Sequence, residues 1–195
     1  MTGRVAVLAG PSGVGKGTVV ARLRDEVPEL WVSVSVTTRS PRPGEVDGLN
    51  YWFISDSEFD DLVARDGLLE WAVVHRTARY GTPLQPVLDA VADGRTCLLE
   101  LDLAGARQVR KVLPEAQFIF LAPPSWEVLE ARLRGRGTED EAAVGRRLET
   151  ARTEMAAVTE FDHVVVNGEL GATVADLVSL LRLGSGLSRP TPSVT

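Results

Sequence analysis

A single cysteine, Cys97, occurs in the whole chain. No intrachain disulfide can therefore staple the fold, and such cysteine usage fits a reducing compartment. No apolar run approaches the roughly 20 residues needed to span a bilayer. The N-terminal stretch MTGRVAVLAGPSG holds an apolar patch too short for a secretory signal, because a glycine turn follows at once. No internal repeat is present. The two histidines, His75 and His163, have no metal-ligand spacing and are assigned to no chemistry. Basic charge is also in deficit: 21 Lys and Arg against 27 Asp and Glu give a net charge of −6 and a pI near 5.0. That balance argues against a surface coated for nucleic acid, so any anion site has to be a local concentration of basic groups. Cytoplasmic residence is expected, with no membrane or nucleic-acid partner.

What remains is an ordinary globular composition, 44% hydrophobic and 25% charged over 195 residues. That length suits one domain and buries a core without staples. Apolar runs without alternation recur at Arg4–Ala9, Thr96–Asp102, Gln117–Ala122 and His163–Asn167, and they read as strands buried on both faces. Helical patterns follow them at Thr18–Glu26, Leu103–Leu113, Ser125–Leu133 and Leu170–Leu183. The alternation is that of an α/β fold with a central parallel sheet flanked by helices. Trp31–Thr38 instead alternates with period two, as do parts of YWFIS and LLEWAVV, around a helical pattern at Asp56–Arg65. These pieces suit a small antiparallel or mixed sheet, placed as an insertion at 34–81 between core pieces 1–33, 82–130 and 159–183. A helical segment at about 131–158 starts from a capping-box pattern, Thr138 with Glu141, and carries Val144, Leu148, Ala151, Met155 and Val158 on its apolar stripe. The domain is put at 1–183. Residues 184–195 have the composition of a disordered tail.

Gly10 to Thr18, GPSGVGKGT, supplies the sharpest chemical signal. A buried strand runs into a turn containing Gly10, Gly13 and Gly15, then Lys16, then a helix. Successive backbone N–H groups at a helix N-terminus cradle phosphate, and Gly10, Gly15 and Lys16 match the G-x-x-x-x-G-K core of the P-loop. The dinucleotide fingerprint does not fit, because Thr18 stands where its third glycine belongs. The plain alternative, a tight strand-to-helix turn with an incidental lysine, explains neither the order nor the spacing. Gly17, rather than a hydroxyl residue, follows Lys16. Thr18 is thus displaced as a direct Mg²⁺ ligand, and the ion is expected to be held mainly by nucleotide phosphates and water. The order GKGT resembles that in nucleoside monophosphate kinases.

Arg39 and Arg42 lie three apart on chain stiffened by Pro41 and Pro43. Two guanidinium forks on such a loop can clamp a second phosphate, although isolated surface arginines would look the same. Together with GPSGVGKGT, the pieces TTRSPRPGEVDGLNYWF, LLEWA, YGTP, LELDLAG, RGRGTEDE, RRL and VVVNGEL resemble the guanylate kinase family in order and spacing across Val5–Leu183.

That resemblance implies a P-loop NTPase fold with a GMP-binding insertion and a helical lid, and transfer of the ATP γ-phosphoryl group to GMP, with dGMP as a secondary substrate. It implies ATP contacts by Gly10, Pro11, Ser12, Gly13, Val14, Gly15, Lys16, Gly17, Thr18, Arg132, Arg136 and Asn167. GMP contacts fall to Ser35, Arg39, Arg42, Glu45, Tyr51, Glu70, Tyr80, Gly81, Thr82, Glu100 and Asp102. Lys16, Arg39, Arg136 and Arg147 are the implied catalytic residues, Mg²⁺ the cofactor, and no obligatory protein partner is expected. The chemistry of guanine agrees: its N1–H and exocyclic amine are donors that a carboxylate at Glu70 would accept, and a Thr82 hydroxyl could donate to O6. Residues 131–152 carry six arginines against four acids, a local excess suited to a transferring phosphoryl group, although any one of them could pair with Glu139 or Glu149 at the surface. Two other readings are a guanylate-kinase-like binding module, which typically loses the cradle or its lysine, and a kinase for another monophosphate, which Glu70 and Thr82 disfavour. Cys97 and Trp126 read as packing residues, as does Trp52. Arg79 stands where many relatives carry an aromatic residue.

Overall fold

The structure, a computed structural model, describes residues 3–74, 78–135 and 141–183. It divides into two compact units, Met1–Val7 with Pro28–Ala116, and Leu8–Val27 with Gln117–Thr195.

In the first unit, β2 (Leu30–Val32) pairs parallel with β7 (Thr96–Glu100), Leu30 opposite Thr96. Cys97, Leu98 and Leu99 are buried along β7, as the run without alternation predicts. Burial pushes the Cys97 thiol up to about 11, the behaviour of a packing residue rather than a nucleophile. A second sheet has the order β4-β3-β6-β5, from β3 (Val36–Thr37), β4 (Trp52–Phe53), β5 (Leu68–Val74) and β6 (Ala78–Pro83). β6 is antiparallel to β3 and β5, while β3 and β4 run parallel, so this sheet is mixed.

Two features differ from the sequence expectation. Trp31–Thr38 is not one strand of the inserted sheet: Leu30–Val32 pairs with β7, and only Val36–Thr37 joins the mixed sheet. Alternation reports which face a side chain takes, not which sheet its backbone joins. Helix α3 (Leu84–Ala92), with Val87 and Ala90 buried, lies in a stretch read as no element. Pro86 sits in its first turn, where the missing N–H costs nothing.

Between β4 and β5 runs α2 (Asp56–Ala64), opened by a capping box: Ser55 Oγ accepts the Glu58 N–H at 3.2 Å, and Glu58 accepts the Ser55 N–H at 2.7 Å. Arg79 on β6 lays its guanidinium 4.6 Å from the Phe59 ring centroid and pairs with Asp56 at 2.7 Å and Asp60 at 2.5 Å. Arg79 thus ties β6 to α2 by charge and ring together. Trp52 packs its indole over Gly48, where a Cβ would lie 2.8 Å from the ring.

After β7, Asp102 caps α4 (Leu103–Val112), accepting the Gly105 N–H at 2.7 Å. Gln108 on α4 uses both ends of its amide on Trp71 of β5, accepting the N–H at 3.2 Å and donating to the carbonyl at 3.1 Å.

In the second unit, β8 (Gln117–Ala122) pairs parallel with β9 (His163–Val166), Ile119 opposite His163. Strand β1 (Arg4–Ala9) leads into α1 (Lys16–Glu26), whose Val19, Val20 and Leu23 are buried. Ser125 caps α5 (Trp126–Arg134), accepting the Val128 N–H at 3.4 Å. α6 (Glu141–Ala156) and the 3₁₀ turn Val158–Glu160 follow, and α7 (Leu170–Leu183) ends the described chain. Trp126 packs as expected, its ring centroid 5.0 Å from the Arg152 guanidinium. Thr138 of the expected capping box, His75 and the expected tail lie outside the described residues. No helix among the described residues is long and apolar enough to cross a membrane.

Candidate active site

The second unit builds an anion cradle. β1 ends at Ala9, and the loop to α1 carries positive φ at Gly10, Gly13 and Gly15. Gly15 is the N-cap of α1 in the left-handed region, φ 102°, and a Cβ there would lie 2.8 Å from Asn167 Nδ2. Glycine alone meets both demands. The Lys16 ammonium folds back on the loop, donating to the Gly10 carbonyl at 2.6 Å. Val14 O receives two side chains, Asn167 Nδ2 at 2.7 Å and Arg132 Nη1 at 3.0 Å. Asn167 is buried at the end of β9, and its Oδ1 accepts from Thr173 Oγ1 at 3.3 Å. Gly15, Thr18, Arg132, Asn167 and Leu170 line a cavity of about 480 Å³, within the range of nucleotide-sized sites.

Pro11 is buried, Ser12 half-buried and Gly17 exposed along the same loop. From α6, Arg147 Nη2 lies 3.5 Å from Ser12 Oγ, and Glu154 Oε2 accepts the Ser12 N–H at 3.0 Å. Glu154 escapes a reading of the sequence, where the inward stripe passes to Met155 and Val158. In the structure Val144, Leu148, Ala151 and Glu154 are buried, and Val158 lies in the 3₁₀ turn beyond the helix. Arg136 lies outside the described residues.

Among the described residues no group of three or more His, Cys, Asp or Glu side chains could hold a metal ion. Thr18, exposed in the first turn of α1, contributes a hydroxyl to the cavity wall. That donor set fits Mg²⁺ that arrives with phosphate and water oxygens of its own.

The first unit holds the residues expected to clamp a second phosphate and to read a base. Arg39, just after β3, makes a fork on Glu45, Nη1 to Oε2 at 2.6 Å and Nη2 to Oε1 at 2.7 Å. Its Nε donates to Tyr80 Oη at 2.8 Å, and its guanidinium lies 5.1 Å from the Tyr51 ring centroid. The Arg39 fork and the Arg42 N–H at 2.7 Å pull the Glu45 carboxyl down to about 2. The same pairing with Glu45 raises the Arg39 pKa further. Tyr51 stands edge-on to Tyr80 at 5.6 Å, and burial raises its phenol pKa. Arg42 is exposed, and the Ser35 carbonyl accepts the Trp52 N–H at 2.9 Å. Glu45 therefore serves here as the counter-ion that orients Arg39.

Glu70 on β5 faces Thr82 on β6 in register, and Gly81 is buried beside Thr82. Thr82 Oγ1 donates to Glu70 Oε1 at 2.7 Å. The Thr82 hydroxyl thereby orients the Glu70 carboxylate. Glu70 is 8% exposed, and desolvation raises its pKa, with the Asp102 charge adding to the rise and the Thr82 hydrogen bond opposing it. Asp102 is an N-cap in this structure, and Glu100 is half-buried at the end of β7.

Gly105, whose role is invisible in the sequence, lets α4 close on this carboxylate: a Cβ there would lie 3.1 Å from Glu70 Oε2. With Glu70 in the guanine-binding role that the resemblance implies, Gly105→Ala is expected to raise KM for GMP by about 3- to 30-fold, the effect of displacing such a group by a fraction of an ångström. KM for ATP and the melting temperature should hold, since alanine is the better helix former. Steady-state kinetics in both substrates check this, and an unchanged KM for GMP would mean that Glu70 tolerates the shift.

A strand, a glycine loop, a lysine and a helix in this order, on a parallel sheet, define a P-loop nucleotide-binding protein. The sequence model for guanylate kinase matches residues 2–183. A guanylate kinase of Leifsonia xyli is 56% identical over 187 residues, 96% of this chain and 74% of that protein. The crystal structure of a guanylate kinase from Anaplasma phagocytophilum superposes with a TM-score of 0.74 at 32% identity, covering 93% of this chain and 85% of that one. A shikimate kinase structure from Bacteroides thetaiotaomicron, 15% identical with a TM-score of 0.51 over 94% of this chain and all (100%) of that one, shares the fold. The chain belongs to the guanylate kinase family.

Proposed function

We propose that the chain transfers the γ-phosphoryl group of ATP to GMP, and secondarily to dGMP, giving ADP and GDP. As a member of the guanylate kinase family it is an ATP:GMP phosphotransferase, a nucleoside monophosphate kinase. The observation that carries the assignment of GMP is Glu70: a buried carboxylate, oriented by Thr82, in the unit that also holds the Arg39 clamp. Adenine carries a lone pair at N1, which would face the carboxylate unpaired, whereas guanine presents two donors to it.

Phosphoryl transfer needs two anions held in line with their charge neutralised. In the proposed mechanism the loop N–H groups of Gly13 and of Gly15 to Thr18, with the Lys16 ammonium, hold the ATP phosphates, while Arg132 and Asn167 hold the loop at Val14 O and line the ATP site. Arg39, Arg42, Ser35, Tyr51 and Tyr80 hold the GMP phosphate. Glu70, Thr82 and Gly81 define the guanine site, with Glu100 and Asp102 at its margin. Arg147 supplies donors to the equatorial oxygens of the transferred group, and Arg136 joins it by resemblance. Phosphate and water oxygens, with the Thr18 hydroxyl, would hold Mg²⁺, which supplies charge neutralisation to the phosphates. Cytoplasmic residence and independence from an obligatory protein partner complete the proposal.

Turnover measured by coupled ADP release with AMP, GMP, CMP and UMP tests it. GMP is expected to lead by at least about 100-fold in kcat/KM, the scale for a site built on buried hydrogen bonds. Tight GMP binding without turnover would favour a binding module, and a different preferred nucleotide would overturn the role of Glu70.

A further inference from the structure

The inward face of α6 carries one residue out of keeping with its neighbours. Val144, Leu148 and Ala151 follow helical spacing, and the next place on that stripe belongs to Glu154, which is 9% exposed. A carboxylate at such a place is destabilising unless a donor meets it. One donor is the backbone N–H of Ser12, 3.0 Å from Oε2, in the middle of the phosphate loop. Arg147, about two turns earlier on the same helix, brings Nη2 to 3.5 Å from the hydroxyl of that same serine. One residue of the cradle thus receives two side chains of one helix, the carboxylate on its backbone and the guanidinium beside its side chain.

We propose that Glu154 is a positioning residue for phosphoryl transfer: by holding the Ser12 N–H it fixes α6 against the phosphate loop in the register that sets Arg147 at the reacting phosphates. The proposal rests on the reading of Arg147 as a donor to the transferred group. Were Glu154 only a structural residue, exchanging it for an apolar side chain would act through stability, with kcat and the melting temperature falling together.

Glu154→Met separates the two roles. It extends the apolar stripe but offers Ser12 no comparable acceptor. Expected is a fall in kcat of at least about tenfold with KM for GMP within about twofold, the pattern of an interaction needed in the transition state. The melting temperature should be unchanged or higher. Glu154→Gln keeps an acceptor oxygen and should stay within about threefold of the parent kcat. In an Arg147→Ala background, Glu154→Met should lower kcat by no more than about threefold further, because both changes remove one function.

A Glu154→Met kcat near that of the parent overturns the proposal. So does a kcat that falls only together with the melting temperature, and so does a full, independent loss in the Arg147→Ala background. Arg147→Ala alone tests the underlying reading: if it leaves kcat near the parent value, the role of Arg147 fails and the proposal falls with it. If Arg147→Ala lowers kcat and Glu154→Met does not, only the role of Glu154 fails.

Discussion

Replacing Lys16 with alanine is expected to lower kcat by about two orders of magnitude or more while the protein still folds. In the structure the ammonium rests on the Gly10 carbonyl at 2.6 Å, at the mouth of a cradle whose other donors are backbone amides. On the proposed mechanism it meets the ATP phosphates, where negative charge shifts as the γ-phosphoryl group leaves. Removing one such donor costs about 3 kcal/mol in the transition state, and each 1.36 kcal/mol or so is tenfold in rate. Folding should tolerate the change. Lys16 is the first residue of α1, alanine is a strong helix former there, and the loop shape is also held by Asn167 and Arg132 on Val14. The measurements are kcat under saturating substrates, the melting temperature, and calorimetric binding of GMP, which should survive. A folded variant with near-normal turnover would remove the lysine from the chemistry.

Glu70→Gln is expected to collapse the preference for GMP. Glutamine keeps the shape but replaces one acceptor oxygen with an NH₂. Thr82 already donates to Oε1, so the amide can satisfy Thr82 or guanine but not both in the native arrangement. GMP should lose about 2–4 kcal/mol of transition-state binding, the scale for a buried charged hydrogen bond left badly paired. AMP should lose far less, because its N1 lone pair meets a donor in place of a carboxylate. The ratio of kcat/KM for GMP over AMP, at saturating MgATP, should fall at least about tenfold.

A pH series adds a second signature. Burial raises the Glu70 pKa above its ordinary 4.5, and the ionised form is the one that accepts from guanine. As pH falls through that raised value the acceptor is lost, so kcat/KM for GMP declines at a higher pH than an ordinary carboxylate would set. The Gln variant should lack that acid limb. Parallel losses for GMP and AMP would instead assign Glu70 to the fold and move the search for the guanine reader to Glu100.

The phosphate loop is legible in the sequence because its chemistry is local: backbone amides, a lysine and a helix start lie within nine residues from Gly10 to Thr18. The main strands are legible because a strand buried on both faces has to be apolar throughout. Two elements escaped for physical reasons. Three-residue β2 is too short to show a period of its own and merged with the alternation that continues into β3. Helix α3 has two prolines near its start, Pro83 and Pro86, which read as a loop although the first turn tolerates them.

The finer structure of the site was hidden wherever it depends on chain returning from a distance. Glu45 meets Arg39 only through the loop between them, and nothing in the motif distinguishes a phosphate ligand from the counter-ion of one. Glu154 was concealed by a register choice, since Met155 beside it looked like the stripe residue. Gly105 could not be read at all, because its meaning lies in the distance to a carboxylate on another strand.

The amide of Gln108 has a consequence for how molecules of this protein behave toward one another. β5 is the border strand of its sheet, and an uncovered border offers unpaired N–H and C=O groups to any passing chain. Here the pair belonging to Trp71 is already taken by a side chain from α4, as a neighbouring strand would take it. The need is real, because Trp71 and Val73 on this strand are both exposed, and apolar side chains beside free backbone groups favour sticking in crowded solution. A glutamine placed for its reach thus closes the border in the middle of β5, where no charged side chain has to stand guard.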